Sequence, residues 1–448
     1  MIPNSIDAQI LTAIGRSQIC QRPILLSISL DVAPNASLPL GNFYWSHQQE
    51  VLIAGGREIE IKSPSGKQRF AHIKQEIKYW QDQAVGNPYF IGGFAFYDQP
   101  DPVYPPSLFY VPQWLWRKTE AEITWTVNLI IKPTTELAEI RQLIDYRYHN
   151  LQFQPDAMQI AIPQVISIRE LMGEFSWAIA VEKALRLIHQ GQLEKLVLAR
   201  VLEIETASTI HVPLVLANLQ KNYAECTVFC FDLLPHSCLV GASPELLLRS
   251  QFQQNQLLVE TWALAGSIPR SASVSMDHLL GKQLLHSPKD LREHQIVISS
   301  IVQALERIRA DIAPISAPRL MPLANVQHLC TPIKAKIATA DPLDIFDLMA
   351  ELHPTAAMAG SPKELALPLM QKYEPSDRGW YAAPLGWLDT LGNAFFVVNI
   401  RSAVISSNRA RLFAGSGIIA NSNIEQEIME TNAKFNPILH ALGIRDQL

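Results

Sequence analysis

The stretch Lys195-Leu-Val-Leu-Ala-Arg-Val-Leu202 reads as a β-strand, and both of its alternating sets of side chains are largely apolar. A strand of that kind is buried on both faces, so it belongs between layers. Just upstream, Ser176 to His189 has amphipathic helical spacing and Gly191 supplies its stop. The strand itself extends from Glu194 to Glu203. Lys195 shares a face with Val197, Ala199 and Val201. An ammonium there is costly unless it is paired or gives up its proton. The bland alternative is a frayed strand end from which the lysine reaches water.

Working outward, residues 226–249 look like a hairpin, 288–310 and 361–372 like helices, and 394–404 and 410–414 like strands. A last helix starts near Asn423. On the other side, Tyr89-Phe-Ile-Gly-Gly-Phe-Ala-Phe-Tyr97 and Ile123-Thr-Trp-Thr-Val-Asn-Leu-Ile-Ile131 are dense in β-branched and aromatic residues and read as strands. Residues 135–150 look helical and 151–170 read as a connection. Strands and helices come in mixed order without βαβ alternation, which favours an α+β fold over a doubly wound sheet. The working division is residues 1–170 as a supporting portion and 171–448 as a catalytic portion.

The composition narrows the function classes. The 448 residues are 48% hydrophobic, enough for a large core. Lys+Arg of 37 against Asp+Glu of 42, with no basic block, argues against nucleic acid as a partner. Cysteines at 20, 226, 230, 238 and 330 are odd in number and match no zinc spacing, so a reducing compartment is expected, with Cys226 and Cys230 as buried strand thiols. The start MIPNSIDAQILTAIGR is a poor secretory signal, and no run of about 18 apolar residues exists to span a membrane. A cytoplasmic protein without a membrane partner is the expectation.

Other charged residues sit where the pattern is apolar. Glu245 lies between a proline turn and three leucines in Gly241-Ala-Ser-Pro-Glu-Leu-Leu-Leu248. A carboxyl in apolar surroundings holds its proton toward neutrality and can serve as an acid; a solvent-facing turn glutamate is the alternative. Ser287-Pro-Lys-Asp290 opens a helix, and Asp290 in isolation reads as part of its cap. Glu293 shares a stripe with Val297, Ile301, Leu305 and Ile308, on the core-facing side. In the last helix Glu427, Glu430 and Lys434 share one face, either a solvated charged surface or a site. If the two helices converge, oxygen-only ligands suit Mg2+.

Further motifs occur in order: Glu260-Thr-Trp-Ala-Leu-Ala-Gly-Ser267, Lys289-Asp-Leu-Arg-Glu-His294, Leu352-His-Pro-Thr355 and Asp377-Arg-Gly-Trp-Tyr-Ala-Ala383. Asn399-Ile-Arg-Ser402, Ala414-Gly-Ser-Gly417 and Glu427-Ile-Met-Glu-Thr-Asn-Ala-Lys434 follow. With the Lys195 and Glu245 segments, they make residues 176–442 resemble the chorismate-utilising enzymes, and isochorismate synthases most. The resemblance implies stacked, mainly antiparallel sheets surrounded by helices, as in anthranilate synthase component I, with the site between the sheets. It implies Lys195 as the base that activates water and Glu245 as the acid that protonates the departing hydroxyl. Glu293 and Glu430 match magnesium ligands, with Asp290 and Glu427 as outer partners. Arg401, Lys434 and the backbone at Gly266, Ser267 and Gly417 match groups holding the substrate carboxylates, while His353 and Tyr381 match pocket-lining residues.

The implied reaction explains these residue types. Water attacks C2 of the ring while the C4 hydroxyl leaves. Water needs a base, and a lysine ordinarily near ~10.4 is expected to be lowered by burial. A poor leaving group needs a protonated carboxyl. The sequence departs from the family's usual residues at Cys330 and Met358, and Ser267 stands for the commoner threonine. A salicylate synthase would use the same groups. An anthranilate or aminodeoxychorismate synthase subunit is disfavoured by Lys195 and by Ala265, where the latter enzyme would carry a lysine; no glutaminase partner is expected. A non-catalytic relative is disfavoured because every implied group is present. Ala414-Gly-Ser-Gly417 lacks the spacing of a nucleotide loop. The long N-terminal portion points toward menaquinone or phylloquinone biosynthesis rather than a siderophore.

Overall fold

A computed structural model describes residues 6–31, 41–150 and 162–444. The described residues form two large sheets. In the first, Val165–Glu170, Lys195–Thr206, Arg409–Ile418, Ser402–Ser406, Ser237–Ser243 and Thr227–Leu234 lie side by side. The sheet continues through Phe43–His47, Glu50–Gly55, Trp114–Lys118, Ile123–Ile131 and Ile24–Asp31. In the second, Val326–Ala338, Gln256–Pro269, Leu246–Gln253, Ala394–Val398, Pro384–Asp389, Tyr89–Phe94 and Ser107–Val111 are neighbours. The fold is α+β, with the described pairings antiparallel apart from Ile24–Asp31 with Ala84–Val85. Both sheets draw strands from either side of residue 170, meeting where Val228 faces Ser46 and where Gly386 faces Gly92.

The buried Lys195 strand has the expected environment. Every residue from Lys195 to Leu202 is buried; the strand pairs with Arg409–Ile418 along most of its length, with Gly360–Ser361 at its start and with Val165–Glu170 from Leu202 onward. Side chains from the two sheets meet in an aromatic core, where Trp45 and Phe395 stand 5.4 Å apart, and Phe231 of the first sheet stacks at 5.5 Å on Trp380 in the turn before Pro384–Asp389. Truncating such a buried ring costs about 3–5 kcal/mol, so this contact fixes the relation of the sheets.

Two helices matter for the site. Pro288–Arg307 packs on Gln256–Pro269, capped by the Ser287 hydroxyl, which accepts from the Asp290 amide at 3.3 Å. Its stripe of Val297, Ile301 and Leu305 is buried, as read from the sequence. Ile424–Ala441 packs on Arg409–Ile418 and is capped by Asn423, whose side chain accepts from the Gln426 amide at 3.2 Å.

The structure refines several expected elements. The strand anticipated over 394–404 is two strands, Ala394–Val398 and Ser402–Ser406, which belong to different sheets. The break holds Arg401 at φ 50. The 226–249 hairpin likewise spans both sheets, since Ser237–Ser243 lies in the first and Leu246–Gln253 in the second. Of the connection expected over 151–170, residues up to 161 lie outside the described ones, and its end is the strand Val165–Glu170. No described helix is long and apolar enough to cross a membrane.

Candidate active site

A cleft of about 710 Å³, its open mouth included, lies where the two sheets face each other. Lys195, Val197, Phe413, Gly415 and Gly417 line it from the first sheet, and Leu264 to Ser267 with His328 from the second. Glu245 enters from the Pro244-Glu245 link, where the chain passes from one sheet to the other. Glu293, Glu430 and Lys434 enter from the two capped helices.

Lys195 is only 1% exposed, so it does not snorkel to water; its ammonium lies 2.7 Å from Glu293 Oε1. Pairing therefore meets the cost of burying it. Desolvation would push the Glu293 carboxyl up, yet Lys195, with Lys434 and Lys289 further off, holds it below the usual carboxylate range. Glu245 behaves oppositely. It is 3% exposed, and burial pushes its carboxyl up to about 8 despite the opposing charges of Lys195, Lys434 and Arg401. The cleft thus contains a carboxyl able to carry a proton near neutrality.

The acidic residues of the two helices feel one another. Burial raises Glu430, its ion pair with Lys434 at 2.6 Å lowers it, and the charges of Glu427 and Glu293 raise it further. Asp290 and Glu427 do not line the cleft. Asp290 accepts from the Ser287 hydroxyl, which agrees with its capping role. Glu427 is buried, accepting from the Ser416 hydroxyl and, at 3.2 Å, from Lys289. Among the described residues, no three of His, Cys, Asp and Glu gather as a ready ligand set. Two carboxylates with water or substrate oxygens completing the shell nevertheless fit Mg2+, which keeps waters and takes few protein ligands.

Arg401 is buried, and its Nη2 donates to His328 Nε2 at 2.7 Å. Its Nη1 is buried without a hydrogen-bond partner. A guanidinium in that state suits an incoming carboxylate, whose two oxygens match its fork. Gly266 sits at φ 76 in an irregularity between Ala265 and Ser267, a backbone angle that glycine adopts without steric cost. At Gly417 even a methyl group would lie 2.6 Å from Glu293 Oε1 and from Lys195 Cε, so glycine is required for the lysine and glutamate to meet. Lys434 also donates to Gly415 O at 2.9 Å, and Tyr381 lines the cleft stacked on Phe413 at 5.0 Å.

One expected pocket residue lies elsewhere. His353 is in the core between sheet and helix, with its Nε2 at 3.0 Å from Phe96 O and its ring against Phe96 and Phe70. It does not line the cleft because Phe96 O already holds its ring in the apolar interior. Two ionisable lining residues were not anticipated, His328 and Arg378. Arg378 forms a buried pair with Glu374 at 2.6 Å, and Glu374 in turn accepts from the Ala199 amide at 3.0 Å. Arg378 occurs within a motif quoted above and His328 does not, and neither breaks a local pattern. Of the unusual residues, Met358 and Ser267 line the cleft, whereas Cys330 is buried in its strand.

Comparison with known proteins agrees with this architecture. The profile of the family described as chorismate binding enzyme matches residues 26–443. The salicylate biosynthesis isochorismate synthase of Pseudomonas aeruginosa is 32% identical, over 96% of this chain and 93% of that one. The isochorismate synthase MenF of Bacillus subtilis is 31% identical, over 97% of each. Among solved structures, the menaquinone-specific isochorismate synthase MenF from Escherichia coli superposes with a TM-score of 0.78 at 24% identity, over 97% of this chain and 100% of that one. Anthranilate synthase component I from Streptococcus pneumoniae gives 0.70 at 18%, over 91% and 93%. These two share the fold. With the profile covering most of its length, the chain belongs to the chorismate binding enzyme family.

Proposed function

We propose that this chain is an isochorismate synthase, interconverting chorismate and isochorismate with Mg2+. The observation that carries the reading is the pairing of opposites in one cleft: a buried lysine from one sheet, and a buried carboxyl, pushed up to about 8, at the link to the other. Relatives spanning nearly the whole chain bear the same activity in their names.

In the forward direction Lys195 accepts a proton from the water that attacks C2. Glu245 donates its proton to the C4 oxygen as that bond breaks, and both ring double bonds shift, from C1=C2 to C1=C6 and from C5=C6 to C4=C5. Lys195 donates to Glu293 at 2.7 Å in this structure, and it can act as the base only in its neutral form. The return reaction exchanges the roles of the two groups. Arg401, Lys434 and the backbone at Gly266, Ser267 and Gly417 hold the two substrate carboxylates, and Tyr381 shapes the wall. Glu293 and Glu430 would hold Mg2+, with Asp290 and Glu427 behind them. When bound, the ion anchors a substrate carboxylate and draws electron density toward it.

The substrate is a small molecule, and an ammonia-supplying partner has no place in the scheme because water is the nucleophile. Likeness over its whole length to the menaquinone-specific isochorismate synthase of Escherichia coli supports a role in quinone biosynthesis. Purified protein given chorismate and Mg2+, with no ammonia source, is expected to release isochorismate with little salicylate. Salicylate and pyruvate in equal amounts as main products would instead make this chain a salicylate synthase.

A further inference from the structure

We infer that His328 is a positioning residue for substrate binding, holding Arg401 and the Gly266 backbone toward one substrate carboxylate without neutralising the arginine. The inference rests on the reading of the cleft as a chorismate site.

The geometry fixes what this histidine is. His328 stands in Val326–Ala338 directly opposite Ser267, and it is buried. Its Nε2 lies 2.7 Å from Arg401 Nη2 and its Nδ1 lies 3.3 Å from Gly266 O. Guanidinium nitrogens only donate, so Nε2 must accept; a backbone carbonyl only accepts, so Nδ1 must carry the hydrogen. Both ring nitrogens are committed, and the ring is neutral. Burial, with the charges of Arg401 and Lys434 nearby, holds it well below its ordinary value.

A neutral acceptor has a consequence that a carboxylate would not. Among the described residues no carboxylate forms an ion pair with Arg401, and its second terminal nitrogen is buried without a hydrogen-bond partner. Its charge is therefore oriented but uncompensated, which favours capture of an anion. Arg401 lies at φ 50 in the break between two strands of different sheets, and the hydrogen bond to His328 anchors its guanidinium there.

The neighbouring His294 shows the contrasting, purely structural case. Its Nδ1 lies 3.2 Å from Ala265 O and its Nε2 lies 2.8 Å from Thr331 Oγ1, so both ring nitrogens are held by neutral groups. The two histidines grip successive carbonyls of the same irregular strand, but only His328 reaches the arginine.

The test compares His328→Ala, His328→Gln and His328→Glu by steady-state kinetics on chorismate with Mg2+, alongside thermal unfolding. His328→Ala is expected to raise KM by about tenfold to a hundredfold, the worth of a hydrogen bond to a charged group, with a much smaller change in kcat. His328→Gln, whose amide oxygen can accept from Arg401, should recover most of that loss. His328→Glu has the same reach but pairs with the arginine, so its KM should exceed that of the glutamine variant although its fold is at least as stable. In an Arg401→Ala background, His328→Ala should add less than about twofold.

KM values for the alanine and glutamate variants within about twofold of the wild type would overturn the inference, as would full additivity with Arg401→Ala. If the alanine variant fails to fold, the glutamine and glutamate pair still decides the matter. A wild-type protein without turnover on chorismate would overturn the site reading and this inference together; an active wild type with unaffected variants overturns the inference alone.

Discussion

Lys195→Ala and Glu245→Ala are each expected to lower turnover by about 10²-fold or more, in both directions, the usual loss for a positioned acid or base. Chorismate binding should persist, because neither residue is assigned to the substrate carboxylates. Lys195→Gln is a useful companion, since truncation to alanine leaves Glu293 without its 2.7 Å partner in a largely buried setting. Glu245 adds a pH signature. Its proton is present below about 8 and lost above, so the forward rate should fall as pH rises through that value. Any limbs of the profile belong to the acid–base pair as macroscopic values. Glu245→Gln should remove the alkaline limb along with the activity.

The same shift has a sign in stability. The folded protein holds the Glu245 proton more tightly than the unfolded chain, which loses it near the ordinary 4.5. Its contribution to stability is full below that value and declines as pH rises through about 8. Glu245→Gln should therefore unfold at a higher temperature than the wild type at alkaline pH, with the gap closing toward pH 4.5. A gap of the opposite sign would place the carboxyl in a different environment. An alanine variant of either residue with near-wild-type turnover would remove the acid–base assignment.

The second large effect concerns the metal. Chelation should abolish turnover, and added Mg2+ should restore it. Glu430→Gln is expected to raise the Mg2+ concentration for half-activation by about 10²-fold or more, since even outer partners of a metal cost about 10–100-fold when lost. Asp290→Asn and Glu427→Gln should fall within that smaller range. Folding should survive Glu430→Gln, because burial and the charges of Glu427 and Glu293 already oppose ionisation of this carboxyl. Full activity in excess chelator would dispose of the metal assignment.

The residues that the sequence exposed are those that break a local pattern. Lys195 and Glu245 are ionisable groups amid apolar residues, and such a group when buried needs a partner or an altered proton affinity. Glu293 stood out because its helix stripe is otherwise aliphatic. His328 gave no such signal: a histidine in a buried strand is ordinarily a satisfied core residue. Its meaning depends on Arg401, 73 positions away and brought near only by the break between two sheets. His353 illustrates the reverse error, since a motif placed it in the pocket while its ring nitrogen is held by Phe96 O. The strand pairings that join the two ends of the chain, such as Gly386 with Gly92, were likewise illegible, because periodicity reports which face is buried and not which strand lies beside it.

The central claim is water addition at C2 with loss of the C4 hydroxyl, and one measurement addresses it directly. Chorismate and Mg2+ are incubated with the protein in 18O-labelled water, without ammonia, and the products are identified by mass spectrometry. The account predicts isochorismate with the label at the C2 hydroxyl, followed by label at C4 of the recovered chorismate as the reaction reverses. Isochorismate with an unlabelled C2 hydroxyl, or no isochorismate at all, would contradict it.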